Sequence, residues 1–206
     1  MNVTRGVALA FTMLCAAGTL AAQGYRGYGD RNRQGFWIRL GAGYGTANVS
    51  CNECAAGPRI SGVSGILEVG GTLNPFIRIG GYADGWTHGS GDANENMSGA
   101  GVSLYYYPAR ASNLYVKTGI GFSSYHAAGI PAINGTGWGI AVGAGYELPV
   151  GRTVALIPFV DYNWGSVGDL SYDDGTFFAS GWSQNFLSFG MSVGFYPNSH
   201  WHRRRF

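Results

Sequence analysis

The sequence predicts an all-β fold: an eight-stranded antiparallel up-and-down transmembrane β-barrel. Three observations carry this. Between residues 35 and 196 the chain repeats eight segments of about ten residues, each alternating large apolar with small or polar side chains. The connections between them alternate long and short, as they do when strands run up and down through a bilayer. Only 12% of residues are charged, although 46% are hydrophobic, 15% aromatic and 36 of 206 are glycine; soluble domains carry nearer ~25% charged residues. The glycines follow no triplet period, which excludes a collagen-like chain.

The first segment shows the logic. Phe36, Ile38, Leu40, Ala42 and Tyr44 share one parity, while Trp37, Arg39, Gly41, Gly43 and Gly45 share the other. A strand turns successive side chains to opposite faces. In a membrane barrel the greasy face meets lipid and the small or charged face turns inward.

The segments follow in order. Strand one covers 36–47, and a long loop over 48–61 carries Cys51 and Cys54. Strand two, 62–73, sets Val63, Leu67, Val69 and Leu73 against Ser64, Glu68, Gly70 and Thr72, and Asn74-Pro75 turns the chain. Strand three, 76–86, has Ile77, Ile79 and Ala83 outward, with Arg78, Tyr82 and Asp84 inward, before a Gly/Asp/Asn-rich loop over 87–96. Strand four, 97–107, turns Ala100, Val102, Leu104 and Tyr106 to lipid, and 108–113 is a short connection.

Strand five, 114–124, alternates most cleanly: Leu114, Val116, Thr118, Ile120 and Phe122 against Tyr115, Lys117, Gly119, Gly121 and Ser123. The loop 125–135 leads to strand six, 136–148, where Trp138, Ile140, Val142, Ala144, Tyr146 and Leu148 oppose Gly137, Gly139, Gly143, Gly145 and Glu147. Strand seven, 154–164, contains Pro158, which has no N–H for a ladder and so predicts a local bulge. The longest loop, 165–184, precedes strand eight, 185–196, with Leu187, Phe189, Met191, Val193 and Phe195 outward.

An even strand count returns both chain ends to one side, the side of the short turns, which in outer-membrane barrels is the periplasm. Aromatics gather at both rims: Phe36, Tyr106, Tyr146 and Phe195 at one, Tyr44, Trp138 and Trp164 at the other.

The N-terminus predicts export. A positive start, an apolar run over 7–17 and small residues over 18–22 read as a signal peptide over 1–22, cut after Ala21 or Ala22. Leu14 before Cys15 excludes a lipoprotein site, which needs a small residue there. Residues 23–34 read as a periplasmic linker, 35–196 as the barrel and 197–206 as a basic tail with His200, Trp201, His202, Arg203, Arg204 and Arg205. Loss of the leader leaves Cys51 and Cys54, in one loop of an oxidising compartment; a local disulfide is the expected state, with free thiols the alternative.

In strand eight, Ser188, Gly190, Val193 and Phe195 fall in the polar, glycine, apolar, apolar spacing of a terminal strand read by the barrel assembly machinery. On these residues, the leader and the eight alternating strands, the chain resembles the small bacterial outer-membrane β-barrel superfamily that includes the OmpA membrane domain, OmpX and OmpW. The resemblance implies a Gram-negative outer-membrane address, contact with outer-membrane lipid and lipopolysaccharide, and recognition by the assembly machinery. It departs at the tail: either Phe195 or Phe206 is the assembly-signal aromatic.

Every charged residue in the strands falls on the inward parity: Arg39, Glu68, Arg78, Asp84, Lys117, Glu147 and Asp161. A cation on the lipid face at the midplane would cost ~2–4 kcal/mol. An eight-stranded barrel has a bore just wide enough for its own side chains. The expectation is therefore a plugged polar core, its glycines making room for Tyr82, Tyr105, Tyr107, Tyr115 and Phe159. The function expected is a non-enzymatic barrel with loops exposed for structural roles or extracellular contacts; the alternative is a narrow channel for ions or small apolar solutes.

Chemistry elsewhere is thin. Ser124 and His126 share a face at the outer end of strand five, but lack a local acidic third member. Asp92, Asn94 and Asn96 mimic the opening of a calcium loop without its Gly and final Glu. No catalytic set, metal site or cofactor is expected, and a net charge of +2 does not point to nucleic acid.

Overall fold

A computed structural model describes residues 35–51, 57–90, 93–128, 132–151, 153–172 and 174–197. The leader, the linker, Cys54, Asp92 and the tail from 198, with Phe206, lie outside the described residues. The strands are β1 (Gly35–Ser50), β2 (Ile60–Asn74), β3 (Ile77–Ser90), β4 (Ala93–Tyr106), β5 (Leu114–Ala128), β6 (Ile133–Tyr146), β7 (Leu148–Pro149), β8 (Val154–Tyr172) and β9 (Phe177–Phe195). Each pairs antiparallel with the next, β1 pairs with β9, and β6 pairs with β8, which closes the ring. The two-residue β7 continues the line of β6 along β8, so the barrel has eight staves.

The stagger follows from the register. Partners taken around the ring from Arg39 run through Glu68, Tyr82, Gly101, Gly121, Gly139, Gly165 and Gln184, and return to Val49 instead of Arg39. The path climbs ten residues in one circuit, so the strands are tilted, as closure requires.

The alternation read from sequence is the burial pattern of the strands. Leu40, Val63, Val102, Ile120, Phe122, Phe189 and Val193 are exposed on the outer wall, Phe122 at 79%. An exterior this apolar is stable only against lipid. The inner wall is capped by two apolar clusters. One, at the end of the short turns, joins Trp37, Tyr105, Tyr107, Tyr115, Ala155, Ile157 and Tyr196. The other, toward the long hairpins, joins Ala47, Trp86, Met97, Tyr125, Val167, Leu170 and Phe186.

Two expectations are corrected. The longest predicted loop, 165–184, is mostly strand, because β8 and β9 stay paired to Ser171 and Phe177 and protrude as a hairpin. Register shifts at Gly168, whose φ of 69° suits glycine, let that hairpin bend while its ladder continues. Similarly, β3 and β4 pair through 87–96 as far as Ser90 and Ala93. The sequence showed turn-forming residues there, but backbone pairing does not require an apolar face.

The second correction concerns Pro158. No register shift occurs there: Gly145 pairs with Phe159 and Leu148 with Leu156, in one unbroken register. The effect is a gap instead of a bulge. Tyr146 and Glu147, opposite Pro158 and Ile157, make no ladder pair with β8, and the Glu147 N–H donates at 2.9 Å to the Asn113 carbonyl on the other side. The strand therefore ends as β6 and resumes as β7.

Candidate functional site: the charged lumen

The residues that could carry function inside the barrel are the seven inward charges, and all seven are buried. They fall into a central ring, a pair near the short-turn end, and one residue apart. In the ring, Arg39 Nη1 meets Glu68 Oε2 at 2.8 Å, Lys117 Nζ meets Glu68 Oε1 at 2.8 Å, and Lys117 Nζ meets Asp161 Oδ2 at 2.9 Å. Arg39 Nη2 lies 4.0 Å from Asp161 Oδ2, completing the circuit of two cations and two carboxylates. Arg39 also donates from Nε to Ser192 Oγ at 2.8 Å and from Nη1 to the Tyr115 hydroxyl.

These contacts arise from register. Arg39 and Glu68 are direct partners across β1 and β2, so their side chains leave the wall side by side. Lys117 and Asp161 reach across the bore from β5 and β8. Glycine makes room: a Cβ on Gly143, the β6 partner of Asp161, would collide with the Asp161 carboxylate.

The second group stands at the short-turn end. Arg78 Nη1 donates to Glu147 Oε1 at 2.6 Å and to the Tyr107 hydroxyl at 2.7 Å. The hydroxyls of Tyr107 and Tyr196 each donate to Glu147 Oε1 at 2.8 Å. The guanidinium lies over both tyrosine rings, 4.9 and 4.7 Å from their centroids. Glu147 faces inward to collect these donors because it shares the inward parity of Gly143 and Gly145, opposite the buried Ile157.

Asp84 stands apart. It is buried, 7% exposed, with its carboxylate against the Gly99 backbone and no cation within ion-pair distance among the described residues. Its neighbours on the wall are Tyr82 and Gly99. Two cavities of about 10 Å³ each lie in the wall and bore, one lined by Tyr82, Gly99, Ser123, Asn163 and Gln184 among others, the other by Arg39, Arg78, Tyr107, Glu147 and Tyr196 among others. Each has room for about one water.

Sequence parity brought out the seven charges and their shared enclosure. It missed Ser192 and Tyr196 as partners, though both lie on the inward parity of the last strand, and Gln184, which sits in β9 where a loop was expected. Gln184 Nε2 donates to Ser123 Oγ at 2.7 Å and to the Ser124 carbonyl at 3.0 Å.

The other sequence candidates are placed as follows. Ser188 is buried inside the barrel, Gly190 lies against β1, and Val193 and Phe195 face lipid; Phe195 is the last residue of β9. Cys51 is disulfide-bonded. His126 Nδ1 contacts Asn134 Oδ1, an amide instead of an acid, which is a poor orienter for a catalytic base. Asn94 and Asn96 belong to β4 and pair with β3. Among the described residues no three metal-ligating side chains cluster.

Solved structures share this architecture. Neisserial surface protein A matches with a TM-score of 0.50 at 18% identity, over 78% of this chain and 96% of that one. The chain folds as a small eight-stranded outer-membrane barrel. Ail, the attachment invasion locus protein of Yersinia pestis, matches with a TM-score of 0.50 at 12% identity, over 79% of this chain and 99% of the other. No protein-family model and no curated protein matches by sequence. Such barrels reside in the bacterial outer membrane, and the lipid-facing belt here is of that kind.

Proposed function

We propose that this chain is a non-enzymatic outer-membrane barrel, closed along its bore by its own side chains, that works through the hairpins and loops it presents at the cell surface. The observation that carries the reading is the paired lumen: Arg39 and Lys117 form ion pairs with Glu68 and Asp161, and Arg78 forms one with Glu147. A conducting bore needs mobile water beside its charges, whereas these are buried and capped at both ends by aromatic and aliphatic clusters. The outward role falls to the projecting β8–β9 hairpin, where Phe177 is 59% and Phe178 40% exposed. Its partners are extracellular, with lipid and lipopolysaccharide around the belt and the barrel assembly machinery during insertion.

Planar-bilayer recording of the refolded protein tests the closed bore. The expected trace has no discrete openings. Openings that disappear when Lys117 or Glu147 is replaced would overturn it in favour of a narrow channel.

A further inference from the structure

The two ends of the barrel carry opposite charge. Toward the long hairpins the sequence places Glu53, Asp92, Glu95, Asp169, Asp173 and Asp174 against Arg59 alone. The short turns, 75–76, 107–113 and 150–153, carry Arg110 and Arg152 and no acid. Arg59 lies back against β1, donating from Nε to Thr46 Oγ1 at 3.2 Å and from Nη2 to the Thr46 carbonyl at 3.3 Å. Asp169 and Asp174, in contrast, are exposed on the projecting β8–β9 hairpin.

The same hairpin presents an aromatic surface. Phe177 and Phe178 are exposed, and Phe178 packs edge-on against Tyr172 with ring centroids 5.3 Å apart. These rings are not part of the lipid belt. On β9 the outward apolar series begins at Leu187, below Asn185 and Ser183, and the strand from Phe177 to Leu187 spans roughly 30 Å. Aromatic side chains standing in water offer contact area, and their faces attract cations. The acidic surround selects the sign of the partner: it draws a cationic one and repels a polyanion, or a second copy whose outward end is acidic too.

We propose that the β8–β9 hairpin docks a basic segment of an extracellular protein, one that sets arginine beside apolar side chains. The apolar groups cover Phe177 and Phe178, and the guanidinium groups meet Asp169 and Asp174. This rests on the surface role proposed above and supplies the chemistry of its partner.

The test titrates the full chain in phosphatidylcholine nanodiscs, with empty nanodiscs as reference, using three peptides of about eight residues that alternate Arg-Leu, Arg-Ser or Glu-Leu. Arg-Leu should bind, Arg-Ser should bind about tenfold more weakly for want of apolar contact, and Glu-Leu should not bind. Raising salt from ~50 to ~500 mM should weaken the Arg-Leu complex, because exposed charge pairs are screened. Asp169→Asn with Asp174→Asn should weaken it about threefold to tenfold, the worth of two exposed ion pairs, and flatten that salt dependence. Phe177→Ser with Phe178→Ser should weaken it about tenfold and leave the salt dependence in place. All four positions are exposed, so the electrophoretic mobility of the folded form should not change. Equal binding of the three peptides, or no loss in either double variant, would overturn the proposal. So would tighter binding of heparin, a polyanion, than of the Arg-Leu peptide. Conductance bears on the closed bore and peptide selectivity on this surface, so the two readings can fail separately.

Discussion

Arg78 and Glu147 meet at 2.6 Å with side chains almost fully out of contact with solvent. Removing one partner of such a pair strands the other, at a cost of about 3–5 kcal/mol, whereas replacing both with apolar residues of similar size is often neutral. Arg78→Ala should therefore destabilise the refolded barrel by about that amount. The double variant Arg78→Met, Glu147→Leu should recover most of it. Urea unfolding followed by electrophoretic mobility of folded and unfolded forms measures both.

The lipid belt gives a positional prediction. Ile120 is 64% exposed in the middle of β5, and Ile120→Arg should cost about 2–4 kcal/mol in a bilayer. Thr136→Arg, nearer the long-hairpin rim on β6, should cost only about 0–1 kcal/mol. Equal losses at the two positions in vesicle refolding would show that the belt is misplaced.

Gly145 lies beneath Tyr115, where a Cβ would come within 2.5 Å of the ring carbon Cζ. Gly145→Ala should push the tyrosine away from Arg39 and destabilise the barrel by about 1–3 kcal/mol. Tyr115→Leu in the same chain should reduce the penalty. An additive double variant would rule out this packing explanation.

At the tip of the β8–β9 hairpin, Asp174 Oδ1 accepts the Thr176 N–H at 2.8 Å. Hydrogen bonds from the Thr176 side chain and, second, from its backbone N–H hold the carboxyl of Asp174 below the ordinary aspartate range. A lowered folded value means that the contribution is complete above the unfolded value and is lost as pH falls through the folded one. NMR titration should give Asp174 a midpoint below a free aspartate, with the Thr176 amide shifting in step. Asp174→Asn should leave that amide insensitive to pH.

The parts of the fold governed by contact with lipid were legible in the sequence, because lipid tolerates only one parity: Leu114 to Phe122 could be read residue by residue. The hairpins beyond the membrane were not. Around Gly168 and in 87–96 both faces meet water, so strand and loop leave the same polar composition. In the lumen, parity found each charge, from Arg39 to Asp161, but partner choice follows from register. No local pattern announces that Lys117 lies between Glu68 and Asp161, or that Asp84 is left over. Pro158 was a clear signal with an unexpected result, because the absence of a bond can be absorbed by breaking a strand as well as by inserting a residue.

The ten-residue climb of the register fixes the bore in advance of any side chain, since strand number and stagger set the diameter of a closed sheet. Trimming Arg39, Tyr115 or Trp86 would leave the cylinder at the same width and put a hole where the side chain had been. A descendant of this sequence could thus gain permeability by shortening residues one at a time, with no change of backbone, and lose it again by the reverse steps.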